Sequence, residues 1–304
     1  MYDLIIIGGG PAGITAGIYA ARKKIKTLLI TKEWGGQIIS ASDIQNWPGE
    51  KSISGINLTK KMVEHLKGFD LEIKEGREVI DLEKKGENFI IRDNKDKEYE
   101  TKTVIIATGK IPQALDISGE EKFKGRGVSV CSTCDAPMFK DKEVAVVGGG
   151  NAGFDAAVDL TKYAKKIYIL EFLEKMRGDL TTKEKLEKTG KVEFYTNAAV
   201  KEIKGDDFVK SLIYENRDTG EDKELKVQGV FIAIGMVPKA GFAEGLVGFN
   251  KIGEIIINKE DNSTKTKRIF AAGDITDVKY EQIVIACGEG SKAALAVYDY
   301  LKKE

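Results

Sequence analysis

The fold is decided by a stretch near the N-terminus, which reads DLIIIGGGPAG over residues 3–13. Its first half is continuously apolar rather than alternating, which is typical of a parallel strand covered on both faces. Gly8, Gly10 and Gly13 follow in the G-x-G-x-x-G spacing, and residues 14–22 have the composition of an Ala-rich helix. An apolar strand is predicted again at 27–30. This order of strand, glycine turn, helix and strand predicts a dinucleotide-binding unit.

The same pattern recurs in the middle of the chain. Residues 143–147 read EVAVV, Gly148, Gly150 and Gly153 repeat the spacing, and a helix (154–163) and a strand (167–170) follow. In such a turn the first glycine permits the tight bend, the second lets backbone approach a pyrophosphate, and the third allows close helix–strand packing. The helix N-terminus then presents free N–H groups to the phosphates. Two copies predict two dinucleotides on one chain, a combination typical of a flavoprotein that receives hydride from a nicotinamide.

The second unit interrupts the first. Strands ending in glycine are predicted at 104–109, 231–235 and 269–274, and a helix pattern closes the chain at 282–301. The length of 304 residues also suits two domains. We therefore predict an α/β protein with two Rossmann-like dinucleotide-binding domains, the second inserted in the first. Residues 1–113 and 243–304 form the FAD-binding domain, and 114–242 form the NAD(P)H-binding domain.

Composition excludes several other classes. The 48 Lys+Arg balance 48 Asp+Glu, so bulk basicity gives no reason to expect a nucleic-acid partner. The longest uncharged apolar stretch, 227–238, is far below the ~20 residues needed to span a bilayer. An acid, Asp3, stands where a signal peptide would carry cations. We expect a cytoplasmic protein without a membrane partner.

The three cysteines are too few for a disulfide framework. Cys131 and Cys134 form a C-x-x-C with Asp135 adjacent, a spacing that permits a disulfide across one turn and a lowered thiol pKa. Half of a zinc site is the alternative, but zinc needs four ligands and only Cys287 and His65 remain, neither in a paired spacing. We predict a redox-active pair and no metal site. His65 is interpreted as a solvated helix position, and Cys287 as buried and inert.

The sequence resembles the low-molecular-weight thioredoxin reductase family over essentially its whole length. From residue 143 onward it is closer still to the flavoprotein subunit of alkyl hydroperoxide reductase, through LEF at 170–172 and IACGEG at 285–290. That subunit normally carries an extra N-terminal thioredoxin-like module, which we expect to be absent because the flavin motif begins at residue 8. The motifs that carry the family resemblance are GGGPAG (8–13), GGQ (35–37), NWPG (46–49), ATG (107–109), GRGVS (125–129), CSTCD (131–135), GGGNAG (148–153) and AAGD (271–274).

The resemblance implies a disulfide reductase that uses FAD and NAD(P)H. Cys134 would face the flavin, Cys131 would attack the partner disulfide, and Asp135 would exchange the proton. Because the cysteines and the nicotinamide both need the flavin, the family's rotation of one domain is implied. The implied partner is a separate thioredoxin-like or glutaredoxin-like protein, and the implied assembly is a homodimer.

The resemblance also assigns the two cofactor sites. Gln37 and Asn46 would flank the isoalloxazine, Asp274 would bind the ribityl chain, and Gln282 would bring a helix N-terminus to the flavin. The adenosine-ribose contact of FAD is open between Thr31 and Glu33. The FAD set comprises Gly8, Gly10, Pro11, Ala12, Gly13, Gly36, Gln37, Asn46, Thr108, Gly109, Gly273, Asp274, Gln282 and Ile283. The NAD(P)H set comprises Gly148, Gly150, Asn151, Ala152, Gly153, Glu171, Arg177 and Gly235.

Glu171 decides the predicted electron donor. It lies 23 residues after Gly148, near the ~20-residue offset of a ribose-binding acid. Relatives that use NADP carry a His-Arg-Arg stretch here, whose cations hold the 2′-phosphate. A carboxylate would accept from a free 2′-hydroxyl and repel that phosphate. We predict NADH as the donor, with some NADPH use left to Arg177; a surface acid at a strand end is the alternative.

Three other functions compete. A dithiol oxidase would use the cysteine pair in reverse and pass electrons to oxygen. A ferredoxin-fed flavin disulfide oxidoreductase would keep the fold and change the donor. A nucleotide-binding redox sensor would have no catalytic activity.

Overall fold

The computed structural model describes residues 1–41 and 44–303, which divide into two compact units. Unit 1 comprises Met1–Ile111 and Val237–Glu304, and unit 2 comprises Pro112–Met236. The first boundary between the units therefore lies two residues earlier than predicted, after Ile111 rather than after residue 113. The second boundary lies six residues earlier than predicted, after Met236 rather than after residue 242. The second difference arises because residues 237–242 belong to the short strand and turn that return the chain to unit 1.

The elements follow one another in the order that the glycine motifs predict. The first segment of unit 1 holds β1 (Tyr2–Gly9), α1 (Pro11–Arg22), β2 (Thr27–Trp34), a 3-10 turn (Gly36–Ser40), α2 (Gly55–Lys67), β3 (Glu72–Glu75), β4 (Val79–Lys85), β5 (Asn88–Asp93), β6 (Glu98–Ile106) and the start of β7 (Lys110–Pro112). Unit 2 holds β8 (Val128–Ser129), α3 (Ser132–Asp135), a 3-10 turn (Ala136–Phe139), β9 (Glu143–Val147), α4 (Asn151–Thr161), β10 (Lys166–Leu170), α5 (Leu180–Lys188), β11 (Val192–Tyr195), β12 (Ala198–Gly205), β13 (Val209–Asn216), β14 (Glu221–Lys226) and β15 (Gly229–Ile232). The chain returns through β16 (Met236–Pro238), a 3-10 turn (Gly241–Ala243), β17 (Ile269–Ala271) and α6 (Ile283–Leu301).

Unit 1 is built on a mixed sheet in the order β3-β2-β1-β6-β5-β4, with β17 also paired to β6. The pairs around β1 are parallel, and β4 and β5 form an antiparallel extension. Four successive residues of β1, Leu4 to Ile7, are buried, as a strand covered on both faces requires. Helices α1 and α6 cover one face and share a core with it through Ile14, Ala16 and Val297.

Unit 2 repeats this plan with a parallel sheet in the order β11-β10-β9-β15-β8. Helix α4 packs on one face through Phe154 and Leu160. The other face is covered by an antiparallel meander, β12-β13-β14, which contributes Ile203 and Leu212 to the core. Two Rossmann-like units in one α/β chain confirm the predicted fold class. None of the helices in the described part of the chain has the length and apolar content that a membrane span requires.

Candidate functional site

The first glycine turn has two glycines fixed by packing and one that faces open space. Gly8 has φ +119°, and a Cβ there would lie 2.2 Å from the Ala107 carbonyl oxygen. A Cβ on Gly13 would lie 2.0 Å from the carbonyl oxygen of Gly8. Gly10, the N-cap of α1, has nothing within 4 Å of its Cβ position and lacks a capping side chain. The free N-terminus of α1 therefore faces a space that suits a pyrophosphate.

The second turn reproduces this geometry. Gly148 has φ +120°, and its Cβ would lie 2.3 Å from the Ala233 carbonyl oxygen. The Cβ of a residue at Gly153 would lie 1.8 Å from the oxygen of Gly148. Gly150, the N-cap of α4, again has nothing within 4 Å and no side-chain cap. Each unit thus carries its own phosphate cradle.

Four of the predicted flavin contacts meet in two hydrogen-bonded pairs within unit 1. The Gln37 amide donates to the Asp274 carboxylate at 3.3 Å. The Asn46 amide donates to the side-chain oxygen of Gln282 at 3.0 Å. Gln282 is the N-cap of α6 and makes no capping bond, so the first N–H groups of that helix stay available. Segments that are more than 200 residues apart in sequence converge here, as an isoalloxazine and its ribityl chain would require.

Gly36 and Thr108, two further residues predicted to contact FAD, also make contacts within unit 1. The Cβ position of Gly36 is 3.8 Å from the Cα of Gly10, which places the GGQ segment beside the phosphate cradle. The Thr108 hydroxyl donates to the Lys239 carbonyl at 2.8 Å. Thr108 therefore holds the returning chain in place together with Gly109, whose carbonyl accepts from the Lys239 N–H at 3.3 Å.

Asp274 lies in the turn after β17 and is half-buried. Burial raises the pKa of its carboxyl group, and the nearby charge of Glu281 raises it further, while Lys110 opposes both. A carboxyl group held in this way accepts or donates a hydrogen bond readily, which suits contact with a ribityl hydroxyl.

Glu171, directly after β10, is buried against the second glycine turn. One carboxylate oxygen accepts from the N–H of Gly149 at 2.7 Å, and the other accepts from the N–H of Leu173 at 3.0 Å. A surface acid at a strand end is thereby excluded. Glu171 thus lies beside the second glycine turn, where its carboxylate is held by two backbone N–H groups.

Arg177 lies on the exposed loop that follows Glu171. Its backbone N–H donates to the Gly149 carbonyl at 2.8 Å, which holds the loop against the glycine turn. In unit 1 the position with the same offset from the first glycine is Thr31, whose hydroxyl donates to the Glu33 carbonyl. Thr31 is buried and Glu33 is exposed, so Glu33 is the acid available to an adenosine ribose.

Cys131 and Cys134 are joined by a disulfide across the short helix α3. The N–H of Cys134 donates to Sγ of Cys131 at 3.2 Å, a bond that favours negative charge on this sulfur once the disulfide is opened. Asp135 follows at once and is half-buried. Cys134 is exposed and Cys131 is half-buried.

A pocket in unit 2 lies between the second glycine motif and the cysteine helix. Ser132 of α3, Ala152 of α4 and the predicted contact Gly235 line it, together with Val130 and Met236. Gly235 has φ +115° and nothing nearer than 4.0 Å to its Cβ position, so this wall is open to a ligand. Two of the residues predicted for NAD(P)H, Ala152 and Gly235, thus border the same pocket as Ser132 of the disulfide motif.

Two groups of functional interest lack any sequence signal. Asp159 of α4 accepts hydrogen bonds from both residues between the cysteines. Lys110 is buried in unit 1 with ion pairs to Glu254 and Glu281. Both contacts join distant segments without a periodic pattern, so spacing alone could not reveal them.

His65 and Cys287 were both interpreted as residues without a catalytic role. His65 is exposed on α2, as expected, and packs on Phe69. Cys287 is half-buried rather than buried, and its thiol donates to the Pro11 carbonyl at 3.8 Å. Burial raises the pKa of the Cys287 thiol, which agrees with an unreactive group. Among residues 1–41 and 44–303 no cluster of three or more His, Cys, Asp or Glu could hold a metal ion.

Comparison with known proteins matches almost the whole chain to one family. Residues 2–290 match the model of the pyridine nucleotide-disulphide oxidoreductases. A protein of Bacillus subtilis named NADH dehydrogenase is 40% identical over 300 residues, which cover 99% of this chain and 58% of that protein. A subunit of the alkyl hydroperoxide reductase of Staphylococcus epidermidis is 38% identical over a match that covers 99% of this chain and 59% of that subunit. The chain therefore spans less than three fifths of the length of these curated relatives.

Solved structures match over the full length. Thioredoxin reductase of Lactococcus lactis, in the FR conformation, has a TM-score of 0.87 and 37% identity, with 100% of both chains covered. Thioredoxin reductase of T. acidophilum has a TM-score of 0.83 and 36% identity, with 99% of both chains covered. The chain is thus similar in fold and sequence to proteins that reduce a disulfide.

Proposed function

Because the chain belongs to the pyridine nucleotide-disulphide oxidoreductase family, we propose that it is an FAD-dependent NADH:disulfide oxidoreductase of the thioredoxin reductase type. Its electrons pass from NADH to the Cys131–Cys134 disulfide and then to a disulfide of a separate thioredoxin-like or glutaredoxin-like protein. One observation carries this proposal: the disulfide helix and the second glycine turn border the same pocket. The full-length likeness to two thioredoxin reductases supports it.

The family uses a flavin and a pyridine nucleotide, and we assign one to each unit. Unit 1 would hold FAD with the cradle at Gly10 and the pairs Gln37–Asp274 and Asn46–Gln282. When bound, FAD supplies the two-electron relay between the nicotinamide and the disulfide. Unit 2 would hold the nicotinamide dinucleotide with the cradle at Gly150.

The choice of NADH rests on Glu171. Its buried carboxylate already lies against the glycine turn, where it would accept from the ribose hydroxyls. A 2′-phosphate would bring a second negative charge to this buried acid, which costs binding free energy. Arg177 is exposed on the loop, where its positive charge would attract a 2′-phosphate, so some activity with NADPH is expected. The name of the Bacillus relative, NADH dehydrogenase, supports the same donor.

The chain's own residues perform the thiol exchange. The Cys131 thiolate, which the Cys134 N–H favours, attacks the partner disulfide and forms a mixed disulfide. The first partner sulfur leaves as a thiolate and takes a proton from Asp135. Cys134 then passes its proton to the Asp135 carboxylate and attacks Sγ of Cys131, which re-forms the internal disulfide. The second partner sulfur leaves as a thiolate and takes a proton from water. Two electrons and two protons thus reach the partner. A homodimer in the cytoplasm is part of the proposal.

The test compares single cysteine variants of the FAD-loaded protein. Cys134→Ser is expected to keep NADH-driven bleaching of the flavin absorbance and to lose reduction of a thioredoxin substrate. Cys287→Ser, the matched control, is expected to keep both. Loss of bleaching in Cys134→Ser would show that the order of transfer is wrong.

Three results with the unaltered protein would overturn the proposal. Oxygen consumption driven by a dithiol, without nicotinamide, would identify a dithiol oxidase. Reduction by ferredoxin alone would identify a ferredoxin-fed enzyme. Failure to reduce any protein disulfide with either nicotinamide would leave a redox sensor.

A further inference from the structure

The two residues between the redox cysteines are both tied to one carboxylate. The hydroxyls of Ser132 and Thr133 donate to the same Oδ2 of Asp159, each at 3.0 Å. We propose that Asp159 is a positioning residue that anchors the cysteine helix and thereby sets the stability of the Cys131–Cys134 disulfide. This inference rests on the proposed redox role of these cysteines.

The cysteine helix needs such an anchor. Helix α3 has four residues, and a helix this short does not form in isolation. In the oxidised protein the disulfide closes the turn, and reduction removes that link. The hydrogen bonds to Asp159 do not depend on the disulfide, so they persist after the thiols form.

Asp159 itself is held firmly. It lies on α4, which has 11 residues and buries Phe154, Ala157 and Leu160 in the core of unit 2. Its side chain is 30% exposed, and its other carboxylate oxygen lies 3.7 Å from Lys162 one turn further along the chain. Asp159 thus connects a rigid helix to a segment that loses its covalent closure in each cycle.

The consequence is a change in disulfide stability. An anchored segment keeps the two reduced thiols close, so the effective concentration of one thiol at the other is high and the disulfide forms readily. Without the anchor the reduced segment has more conformations and the disulfide becomes easier to reduce. A tenfold change in that equilibrium corresponds to about 30 mV.

The experiment measures this equilibrium directly in the FAD-loaded protein. The protein is equilibrated in dithiothreitol redox buffers and alkylated, and the oxidised fraction is read by mass spectrometry. Asp159→Ala is expected to make the Cys131–Cys134 disulfide about tenfold easier to reduce, a shift of about 30 mV toward positive potential. The double variant Ser132→Ala/Thr133→Val is expected to reproduce this shift with Asp159 intact.

Two matched variants separate anchoring from charge. Asp159→Asn keeps an oxygen that accepts both hydroxyls, and is expected to retain most of the original potential. Lys162→Ala removes the ion pair alone and is expected to leave the potential unchanged. A shift in Asp159→Asn equal to that in Asp159→Ala would assign the effect to charge and overturn the anchor.

An unchanged potential in both Asp159→Ala and the hydroxyl double variant would also overturn the inference. The proposed function is judged separately, by whether NADH reduces the disulfide of the unaltered protein. If NADH reduces the disulfide of the unaltered protein and the variants keep its disulfide potential, only the role proposed for Asp159 is rejected. A disulfide that NADH never reduces would reject the proposed function, whereas the redox-buffer measurement on Asp159 would still stand.

Discussion

The Glu171 carboxylate accepts a hydrogen bond from the backbone N–H of Gly149 at 2.7 Å. This bond ties the acid after β10 to the middle of the second glycine turn, where the ribose and the pyrophosphate of a dinucleotide meet. Its buried position fixes the direction of the carboxylate before any ligand arrives. If unit 2 binds NADH as proposed, the preference for this donor is fixed before the ligand binds.

Replacing Glu171 with Ser is expected to narrow the preference for NADH. Loss of a charged acceptor costs about 1.5–3 kcal/mol, so kcat/KM for NADH is expected to fall at least tenfold. The value for NADPH is expected to rise because the repulsion of the 2′-phosphate is removed. Steady-state kinetics with both donors measures the ratio.

Glu174→Ala serves as the control, since Glu174 is an exposed acid on the same loop. Its donor ratio is expected to match that of the unaltered protein. Equal use of NADH and NADPH by the unaltered protein would contradict the role given to Glu171.

The central glycines provide a pair of matched substitutions. Gly10→Ala and Gly150→Ala meet no atom within 4 Å, so each apoprotein is expected to be unchanged or about 0.5 kcal/mol more stable. Gly10→Ala is expected to weaken FAD binding about tenfold, or 1.4 kcal/mol, without raising KM for NADH. Gly150→Ala is expected to do the reverse.

Gly13→Ala is the contrasting variant, because its Cβ would lie 2.0 Å from the Gly8 oxygen. It is expected to lose folded protein as well as FAD. Thermal unfolding, FAD titration and NADH kinetics distinguish the three. Normal FAD affinity in Gly10→Ala would mean that no phosphate lies in the first cradle.

The glycine turns could be predicted because close approach of backbone to backbone admits only glycine. Gly8 and Gly148 each have a positive φ and no room for a Cβ atom, so a glycine in the sequence directly indicates this backbone geometry. Glu171 could be predicted for a similar reason, since the length of the helix and strand fixes its offset from Gly148.

The meander β12-β13-β14 could not be predicted in the same way. Strand β14 is exposed along nearly all its length, so it lacks the apolar alternation that signals a strand. The Asp159 anchor and the Lys110 ion pairs were likewise hidden. Each depends on side chains that meet only after separate elements have packed, and no spacing along the chain encodes such contacts.

Asp274 is expected to give the apoprotein a specific pH dependence. Because burial and the charge of Glu281 hold its pKa above the ordinary value, the folded state binds this proton more tightly than the unfolded state. The stability gained is fully present below the unfolded pKa, near 3.9, and is lost as pH rises through the folded pKa. The Asp274→Asn side chain does not ionise, so this variant is not expected to lose stability in this way. The difference between its free energy of unfolding and that of the unaltered protein is therefore expected to increase as the pH rises through the folded pKa. Urea unfolding from pH 4 to pH 7 measures the difference, and parallel curves would contradict the assignment.

Lys110 is expected to stabilise unit 1 through a buried charge. Its Nζ lies 2.7 Å from Glu254 and 2.5 Å from Glu281, and the side chains of Lys110 and Glu254 are only 7% and 10% exposed. Among residues 1–41 and 44–303, Lys110→Met would leave Glu254 with the amide of Asn250 as its only side-chain donor, so a loss of about 3 kcal/mol is expected. Glu281→Gln, at a side chain that is 42% exposed, is expected to cost less than about 1 kcal/mol.

A double variant tests the cause of this destabilisation. Because the cost of Lys110→Met is attributed to the unpaired Glu254 carboxylate, Lys110→Met/Glu254→Gln is expected to recover most of the lost free energy of unfolding in a denaturant titration. A double variant as unstable as Lys110→Met would show instead that packing of the lysine stem, rather than its charge, stabilises this part of the fold.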